Sequence, residues 1–331
     1  IPVGVRQTLK KNLDSMSLYP DLFSTSLRTG LKKYIKLPKS NIIIGNGAIE
    51  IIYNFCNAFL SKKQILIPVP TFSEYEVATK LADCKITFFK TMNLSENLDS
   101  FISKIPTNGC VFVCNPNNPT GAFTEKNKID QLAEGLKKFP NVAILSDEIY
   151  SRQIFDRKKM PTFFDYPHLY DRLIVLDGWS KTYSMTGWRL GWAVWPEKLV
   201  EHVIKFCVNN HSCVNAAIQY GAISALDGPE DSIHRMVKKF ISRKNLMVDG
   251  LKKIKGIICN ESKAGFFIFP NIKGTGMNGD EFSTRCLNEA GVALVPGTAF
   301  GKFAMDNVRI NFTTSEENIS NALEKINNML G

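Results

Sequence analysis

A lysine and an arginine that could do chemistry lie eight residues apart, at Lys181 and Arg189. They follow an apolar run at residues 173–176, which predicts a fully buried strand. Lys181 comes directly after Ser180, and a lysine that is desolvated at a strand end has a lowered pKa, which makes its amine a usable nucleophile. A loop with two solvated cations is the alternative interpretation, and the pair alone leaves both open.

Two polar residues end other predicted buried strands. Asp147 closes the run at residues 142–147, where a carboxylate is unfavourable unless it meets a cation or caps the next helix. Asn118 lies in the string Asn-Pro-Asn-Asn-Pro-Thr-Gly. Its prolines cannot continue a strand, and the string could simply be a loop without a functional role. Because ligands of open α/β sheets bind at the carboxyl ends of the strands, both side chains are expected in one crevice with Lys181.

A glycine turn offers a fourth group to the same crevice. The strand at residues 41–44 is stopped by Gly45 and Gly47, and apolar residues at helical spacing begin at Ala48. Free backbone N–H groups and the positive end of the helix dipole would converge there on an anion. An ordinary tight turn is the alternative, since the dinucleotide fingerprint would need a third glycine.

The elements that position these residues fall into two groups. Up to about Gly228, buried strands alternate with amphipathic helices. Beyond it, a long helix and three short strands predict an α+β lobe, closed by a helix that is capped at Thr314 in the pattern Thr-x-x-Glu. Arg309 is flanked by apolar residues in the last strand, so it should be buried with a bidentate anionic partner or in a structural salt bridge.

Several of these strings occur together in the order of one known family. Ser-Lys-x-x-Ser-Met-x-Gly-x-Arg-Leu-Gly, which begins at Ser180, resembles the lysine signature of the class I/II pyridoxal-phosphate aminotransferases of fold type I. The Asn-Pro loop, the Asp-x-x-Tyr pair and Pro-Gly-Thr-Ala-Phe followed by Val-Arg-Ile-Asn-Phe also resemble motifs of that family. Two positions depart from it: Trp179 replaces a smaller residue, and Gly178 replaces a phosphate-binding hydroxyl that many relatives have.

The resemblance implies roles for individual residues. Lys181 would bind the cofactor covalently and carry the proton, Asp147 would hold its ring nitrogen, and Tyr150 its phenolate oxygen. Arg309 and Asn118 would hold the substrate carboxylate. The cofactor would be pyridoxal 5'-phosphate, and further residues would contact its phosphate, its ring face or its phenolate oxygen. They are Gly47, Ala48, Phe72, Asn118, Tyr150, Ser180, Arg189 and, from the partner subunit of a homodimer, a copy of Tyr19.

The same resemblance implies the architecture and the activity. A large domain at residues 36–227 would have a mostly parallel, doubly wound sheet, and a smaller α+β domain would be built from residues 1–35 and 228–331. The expected activity is transfer of an amino group between an amino acid, of aspartate type or broad specificity, and a 2-keto acid. Three alternatives stay open: a histidinol-phosphate aminotransferase, a lyase or decarboxylase on the same fold, and a non-catalytic binding module.

The composition limits the partners and the cellular location that this protein is expected to have. The chain has 331 residues and a net charge of +10, but its lysines are scattered, so nucleic-acid binding is weakly supported. No apolar window is long enough for a membrane span, and the first residues are not a signal peptide, although a native N-terminus is expected to be missing. The eight cysteines include no CxxC pair, so they predict neither a zinc site nor a disulfide framework. Free cysteines favour a reducing location such as the cytoplasm.

Overall fold

A seven-stranded sheet forms the centre of the computed structural model, which describes residues 1–37, 41–156 and 159–331. Its strands are β1 (Ile42–Gly45), β2 (Gln64–Val69), β3 (Lys85–Lys90), β4 (Gly109–Cys114), β5 (Val142–Asp147), β6 (Leu173–Gly178) and β7 (Gly191–Val194). They lie in the order β1-β7-β6-β5-β4-β2-β3. Strands β3, β2, β4, β5 and β6 pair in parallel, and β7 is antiparallel to both of its neighbours.

Helices cover both faces of this sheet. They are α1 (Val3–Lys11), α2 (Thr25–Ile35), α3 (Ala48–Phe59), α4 (Glu74–Leu81), α5 (Leu98–Ile102), α6 (Lys126–Leu136), α7 (Trp179–Thr182), α8 (Glu197–His211) and α9 (Ala216–Asp227). In β4, Cys110 and Phe112 pack in the cluster that contains α3, α4 and α8, whereas Val111 and Val113 pack with α5 and α6. Because strand residues alternate between the two faces, a strand covered on both sides is a continuous apolar run. The predicted mostly parallel, doubly wound α/β fold is confirmed.

The C-terminal part forms a smaller lobe around a three-stranded sheet of order β8-β10-β9. Its elements are α10 (Asp231–Leu251), β8 (Phe267–Ile268), α11 (Gly279–Ala290), β9 (Val295–Pro296), β10 (Val308–Asn311) and α12 (Glu316–Leu330). The predicted cap of α12 is off by one residue: Ser315 is the N-cap and accepts the backbone N–H of Asn318, while Thr314 accepts only the side chain of Asn318.

The N-terminal helices pack on the large sheet. Val5 of α1 and Leu27 and Leu31 of α2 are fully buried in one cluster with Ile42, Trp192 and the inner face of α9. The division of the chain at residues 36 and 228 remains a prediction. Among the described residues, no helix is long and apolar enough to cross a membrane.

Candidate active site

The carboxyl ends of neighbouring strands bring most of the predicted residues to one edge of the large sheet. Asp147 ends β5 and lies in register with Cys114 of β4 and Leu176 of β6. Lys181 follows β6 on the short helix α7. Antiparallel β7 closes this edge, because Gly191 lies opposite both Gly45 of β1 and Gly178 of β6. The glycine turn after β1 and the helix that carries Lys181 after β6 therefore begin at the same edge of the sheet, although they are far apart in sequence.

Asp147 is a buried carboxylate that is held by two donors. The Tyr75 hydroxyl donates to Oδ2 over 2.6 Å, and the backbone N–H of Ile149 donates to Oδ1 over 3.1 Å. Burial nevertheless raises the pKa of Asp147, while these two hydrogen bonds and the charge of Lys181 lower it by less. No ion pair to Asp147 forms within the described part of the chain. The site therefore presents an oxygen pair to a cationic partner.

Lys181 is half-buried between aromatic rings. Its Nζ lies 5.2 Å from the ring centre of Phe266 and 6.0 Å from that of Tyr150. Burial lowers the pKa of Lys181, the charges of Arg309 and Arg189 lower it further, and Asp147 opposes them. A lowered pKa increases the fraction of neutral amine, which is the form that can attack or accept a proton.

The glycine turn and Arg189 form a cationic corner. Gly47 has φ +86° and ψ 160°, a conformation essentially restricted to glycine, and a Cβ built there would lie 2.6 Å from Nη2 of Arg189. Ala48 is the first residue of α3, and Ser180 is buried beside Lys181. The N-terminus of α3 and the guanidinium of Arg189 together suit an anion such as a phosphate.

Arg309 links the C-terminal lobe to the Asn-Pro loop. Its Nη1 donates to Oδ1 of Asn118 over 2.9 Å, and its guanidinium carbon lies 4.8 Å from the ring centre of Phe300 and 5.6 Å from that of Phe267. Burial lowers the pKa of Arg309, although the nearby Tyr150 opposes this. Its buried Nε has no hydrogen-bond partner within the described part of the chain. A guanidinium with free donors in a partly desolvated place can clamp a carboxylate.

Three further predicted residues, Tyr150, Phe72 and Tyr19, differ in their burial and in their contacts with the residues described above. Tyr150 is buried, and burial raises the pKa of its hydroxyl. Phe72 is half-buried, with its ring perpendicular to Tyr75 at 5.7 Å between ring centres, so it lies beside the support of Asp147. Tyr19 is 93% exposed on the segment between α1 and α2 and is not brought to this group within one chain.

Sequence reasoning missed three side chains of the site. Tyr75 supports Asp147 from a helix 72 residues earlier, and no local spacing indicated this contact. Phe266 lies beneath Lys181, whereas the sequence placed it in an ordinary strand. Glu50 accepts the backbone N–H of Asn46 over 2.8 Å and so holds the glycine turn, with His211 Nε2 3.3 Å from the same carboxylate. Its position at i+4 from the turn was the available signal.

Comparison with known proteins gives a consistent result. The model of the family "Aminotransferase class I and II" matches residues 3–326. An aspartate aminotransferase of Pyrococcus horikoshii is 32% identical, covering 99% of this chain and 87% of its own. Aromatic-amino-acid aminotransferase 2 of Thermococcus litoralis is 33% identical, covering 99% and 88%. The crystal structure of an aromatic aminotransferase of Pyrococcus horikoshii superposes with a TM-score of 0.92 at 31% identity, covering 99% and 92%.

Proposed function

Because the chain belongs to the aminotransferase class I and II family, we propose that the site at the carboxyl edge of its large sheet is where it exchanges an amino group between an amino acid and a 2-keto acid. The protein is a transaminase that uses pyridoxal 5'-phosphate, as aminotransferases of this fold do. The individual roles of its residues are proposals. The observation that carries them is the buried carboxylate of Asp147, which forms no ion pair with another described residue, near a half-buried lysine of lowered pKa.

The donor set fits this cofactor. Asp147 would pair with the protonated ring nitrogen. This pairing is favourable because the cation stabilises a carboxylate that is buried away from water. The corner formed by Gly47, Ala48, Ser180 and Arg189 would hold the phosphate. Tyr150 and Asn118 would bind the phenolate oxygen, and Phe72 would cover one face of the ring. When bound, the cofactor supplies an electron sink for the pair left at the substrate's α-carbon.

Lys181 would move the proton. Its Nζ would hold the cofactor covalently before the substrate arrives and, once displaced, would take the proton from the substrate's α-carbon as a general base. The lowered pKa that follows from burial and from the charges of Arg309 and Arg189 raises the fraction of this amine that is neutral and able to accept a proton. The rings of Phe266 and Tyr150 restrict water around it.

Arg309 would orient the substrate. Its contact with Asn118 fixes the guanidinium, while the rings of Phe267 and Phe300 cover its sides. A planar fork held in this way donates two parallel hydrogen bonds to a carboxylate and so sets which bond of the α-carbon faces Lys181. This orientation is what separates proton transfer from loss of the carboxylate, the decarboxylase chemistry that the sequence left open.

For the substrates, the names of the relatives favour aspartate or an aromatic amino acid as donor. We therefore propose aspartate-type or broad amino-acid specificity. The test is a panel of amino donors, followed through the cofactor's visible absorbance. Its competing outcomes are use of histidinol phosphate, a lyase reaction, and binding without catalysis. Cycling between aldehyde and amine forms that depends on a keto acid identifies the transaminase.

We propose a cytoplasmic homodimer with shared active sites, whose other partners are small molecules. Support for the dimer is the segment before α2, where Leu18, Tyr19, Leu22 and Phe23 are exposed, because such apolar residues are typical of a contact surface. Mixing inactive Lys181→Ala and Tyr19→Ala subunits tests the sharing. If Tyr19 acts in the neighbouring site, hybrid dimers regain up to half of the activity; no recovery would contradict it.

The role of Lys181 has a direct test. Lys181→Ala should lower turnover by several orders of magnitude and abolish the cofactor label that borohydride fixes on the protein. Lys244→Ala is the matched control, since Lys244 also lies over a ring, 5.8 Å from the centre of Phe155, but pairs with Glu261 outside the site. Near-normal turnover in Lys181→Ala would rule out the proposed mechanism.

A further inference from the structure

Gln153 lies where three segments of the candidate active site meet, and none of the roles given above uses it. It belongs to the loop after β5 and is buried, with 1% of its surface exposed. Its backbone N–H donates to the carbonyl oxygen of Tyr150 over 2.9 Å, and its own carbonyl oxygen accepts the N–H of Gly265 over 2.8 Å. Its side-chain Nε2 donates to the carbonyl oxygen of Lys181 over 2.7 Å. One residue therefore contacts the main chain of all three segments.

The carbonyl of Lys181 takes this short hydrogen bond from outside its own helix. Helix α7 has only four residues, and so short a helix depends on tertiary contacts, because its last carbonyls have no partner further along it. The chain leaves the helical conformation soon afterwards, with Ser184 at φ 56°, and the N–H of Ser184 lies 3.4 Å from the Lys181 carbonyl. The amide of Gln153 is closer, so it holds the end of the helix that carries the lysine.

Gln153 also holds the aromatic ring beneath the lysine. Gly265, which donates to the carbonyl of Gln153, directly precedes Phe266 in the chain. The ring centre of Phe266 lies 5.2 Å from Nζ of Lys181. The side chain of Gln153 therefore fixes the main chain of Lys181, while its main chain fixes the segment that carries Phe266. The position of the amine over this ring depends on both contacts.

The side-chain oxygen of Gln153 indicates that its amide is not there chiefly for stability. Oε1 is buried and accepts a hydrogen bond from no described residue, and an unpaired buried acceptor is unfavourable. The hydrogen bond from Nε2 and the unpaired Oε1 therefore change the free energy of unfolding in opposite directions. An unbranched apolar side chain of similar length, such as methionine, would fill the space without the unpaired atom. What the amide adds is its contact with Lys181.

We propose that Gln153 is a positioning residue for Lys181: its amide and its carbonyl together hold Nζ where it reaches the cofactor and the α-carbon of the substrate. This role deepens the proposed transaminase function and rests on it. A reacting group that is displaced by about 1 Å can lose about 100-fold in rate. Arg309, which would orient the substrate, has no hydrogen bond to Gln153 within the described ranges, so substrate binding should be spared.

The first test measures how fast Lys181 captures the cofactor. The full-length protein, prepared without cofactor, is mixed with pyridoxal 5'-phosphate, and the label that borohydride fixes on Lys181 is followed over time. In Gln153→Met, labelling should be about tenfold slower. The midpoint of urea unfolding should change little, because the lost hydrogen bond and the lost unpaired acceptor offset each other. Labelling of Gln153→Met at the wild-type rate would overturn the proposal.

Gln219→Met is the matched control. Gln219 on α9 is also buried, and its Nε2 also donates to a backbone carbonyl, that of Val214 over 2.9 Å. This variant should be labelled at the wild-type rate, because its hydrogen bond does not reach the lysine. Equal slowing in Gln219→Met and Gln153→Met would show a general effect of losing a buried amide and would also overturn the proposal.

A second variant, Gln153→Asn, keeps the test valid if Gln153→Met folds poorly. Asparagine retains the amide but is shorter by one methylene group, so its nitrogen withdraws from the Lys181 carbonyl and labelling should again slow. A role in stability alone predicts the opposite pattern in the two variants, a lower urea midpoint with unchanged labelling. That pattern would refute the positioning role.

Turnover separates this inference from the proposed function. In cofactor-loaded Gln153→Met, kcat with L-aspartate should fall about 10- to 100-fold while KM changes less than about twofold, because the substrate carboxylate would be bound elsewhere. If the wild type transaminates no donor but labelling slows in both Gln153 variants, the proposed function fails and the positioning role stands. A higher KM with unchanged kcat would assign Gln153 to substrate binding and contradict the proposal.

Discussion

Replacing Gly47 by alanine should damage stability and cofactor binding by separate routes. At φ +86° and ψ 160°, a residue with a Cβ is strained by about 1–3 kcal/mol, so the free energy of unfolding of the cofactor-free protein should fall by that amount. The new Cβ would also lie 2.6 Å from Nη2 of Arg189. A guanidinium at the end of a flexible side chain can move, but it then leaves the corner that would hold the phosphate.

The displaced guanidinium sets the size of the second effect. A hydrogen bond to a charged group contributes about 1.5–3 kcal/mol, so losing it should weaken cofactor affinity by about 10- to 150-fold. Urea titration without cofactor measures the first effect, and equilibrium titration of the cofactor's absorbance measures the second. Gly187→Ala is the control, because a Cβ at Gly187 meets no atom within 4 Å.

A double-mutant cycle with Arg189→Ala tests whether Gly47→Ala weakens cofactor binding by displacing Arg189. If Gly47→Ala acts on the cofactor by moving Arg189, it should add little loss of affinity when Arg189 is already alanine, while its effect on stability persists. The reasoning would be refuted if Gly47→Ala bound the cofactor as tightly as Gly187→Ala. Full additivity of the two affinity losses would instead show that Arg189 is not displaced.

Three further predictions concern stability. Burial raises the pKa of Glu148 from 4.5 to about 7, so its stabilising contribution is complete below pH 4.5 and is lost as the pH rises through 7. In Glu148→Gln, the unfolding free energy should fall about 3 kcal/mol less between pH 5 and 8 than in the wild type. The same fall in both proteins, measured by urea titration at each pH, would contradict this. Ser315→Ala should lower the unfolding free energy by about 1 kcal/mol and Thr314→Ala by less than about 0.5 kcal/mol, with equal losses arguing against the observed cap. Tyr75→Phe removes a donor from buried Asp147, so the cofactor-free variant should lose about 1–3 kcal/mol of unfolding free energy at pH 8, and less as the pH falls and the carboxyl gains its proton. A loss that does not change with pH would exclude this explanation.

Much of the fold could be predicted because its strands are covered on both faces and therefore are continuous apolar runs. The edge strand β3, Lys85–Lys90, was missed, since most of its side chains are exposed or half-exposed and its ends are charged. Helix α9 was also missed: it is rich in alanine and small residues and has apolar residues around much of its circumference, so it has little of the helical periodicity that reveals an amphipathic helix.

In the site, residues on a shared strand edge could be predicted, and residues that act through distant contacts could not. Asp147 ends β5 and Lys181 follows the neighbouring strand β6, so local pattern and topology together place them. Tyr75 and Gln153 contribute through single hydrogen bonds across the fold, and a tyrosine on a helix or a glutamine after a strand has many ordinary explanations.

The row of glycines across three strands, Gly45, Gly191 and Gly178, has a consequence for engineering this protein. A methyl group on Gly191 would reach within 2.4 Å of the backbone nitrogen of Ala48, so that end of the crevice is built from main chain in direct contact. Main chain offers no side chain to exchange. Laboratory evolution toward new amino donors should therefore accumulate its changes in the C-terminal lobe, which carries Arg309, and leave the glycine corner as it is.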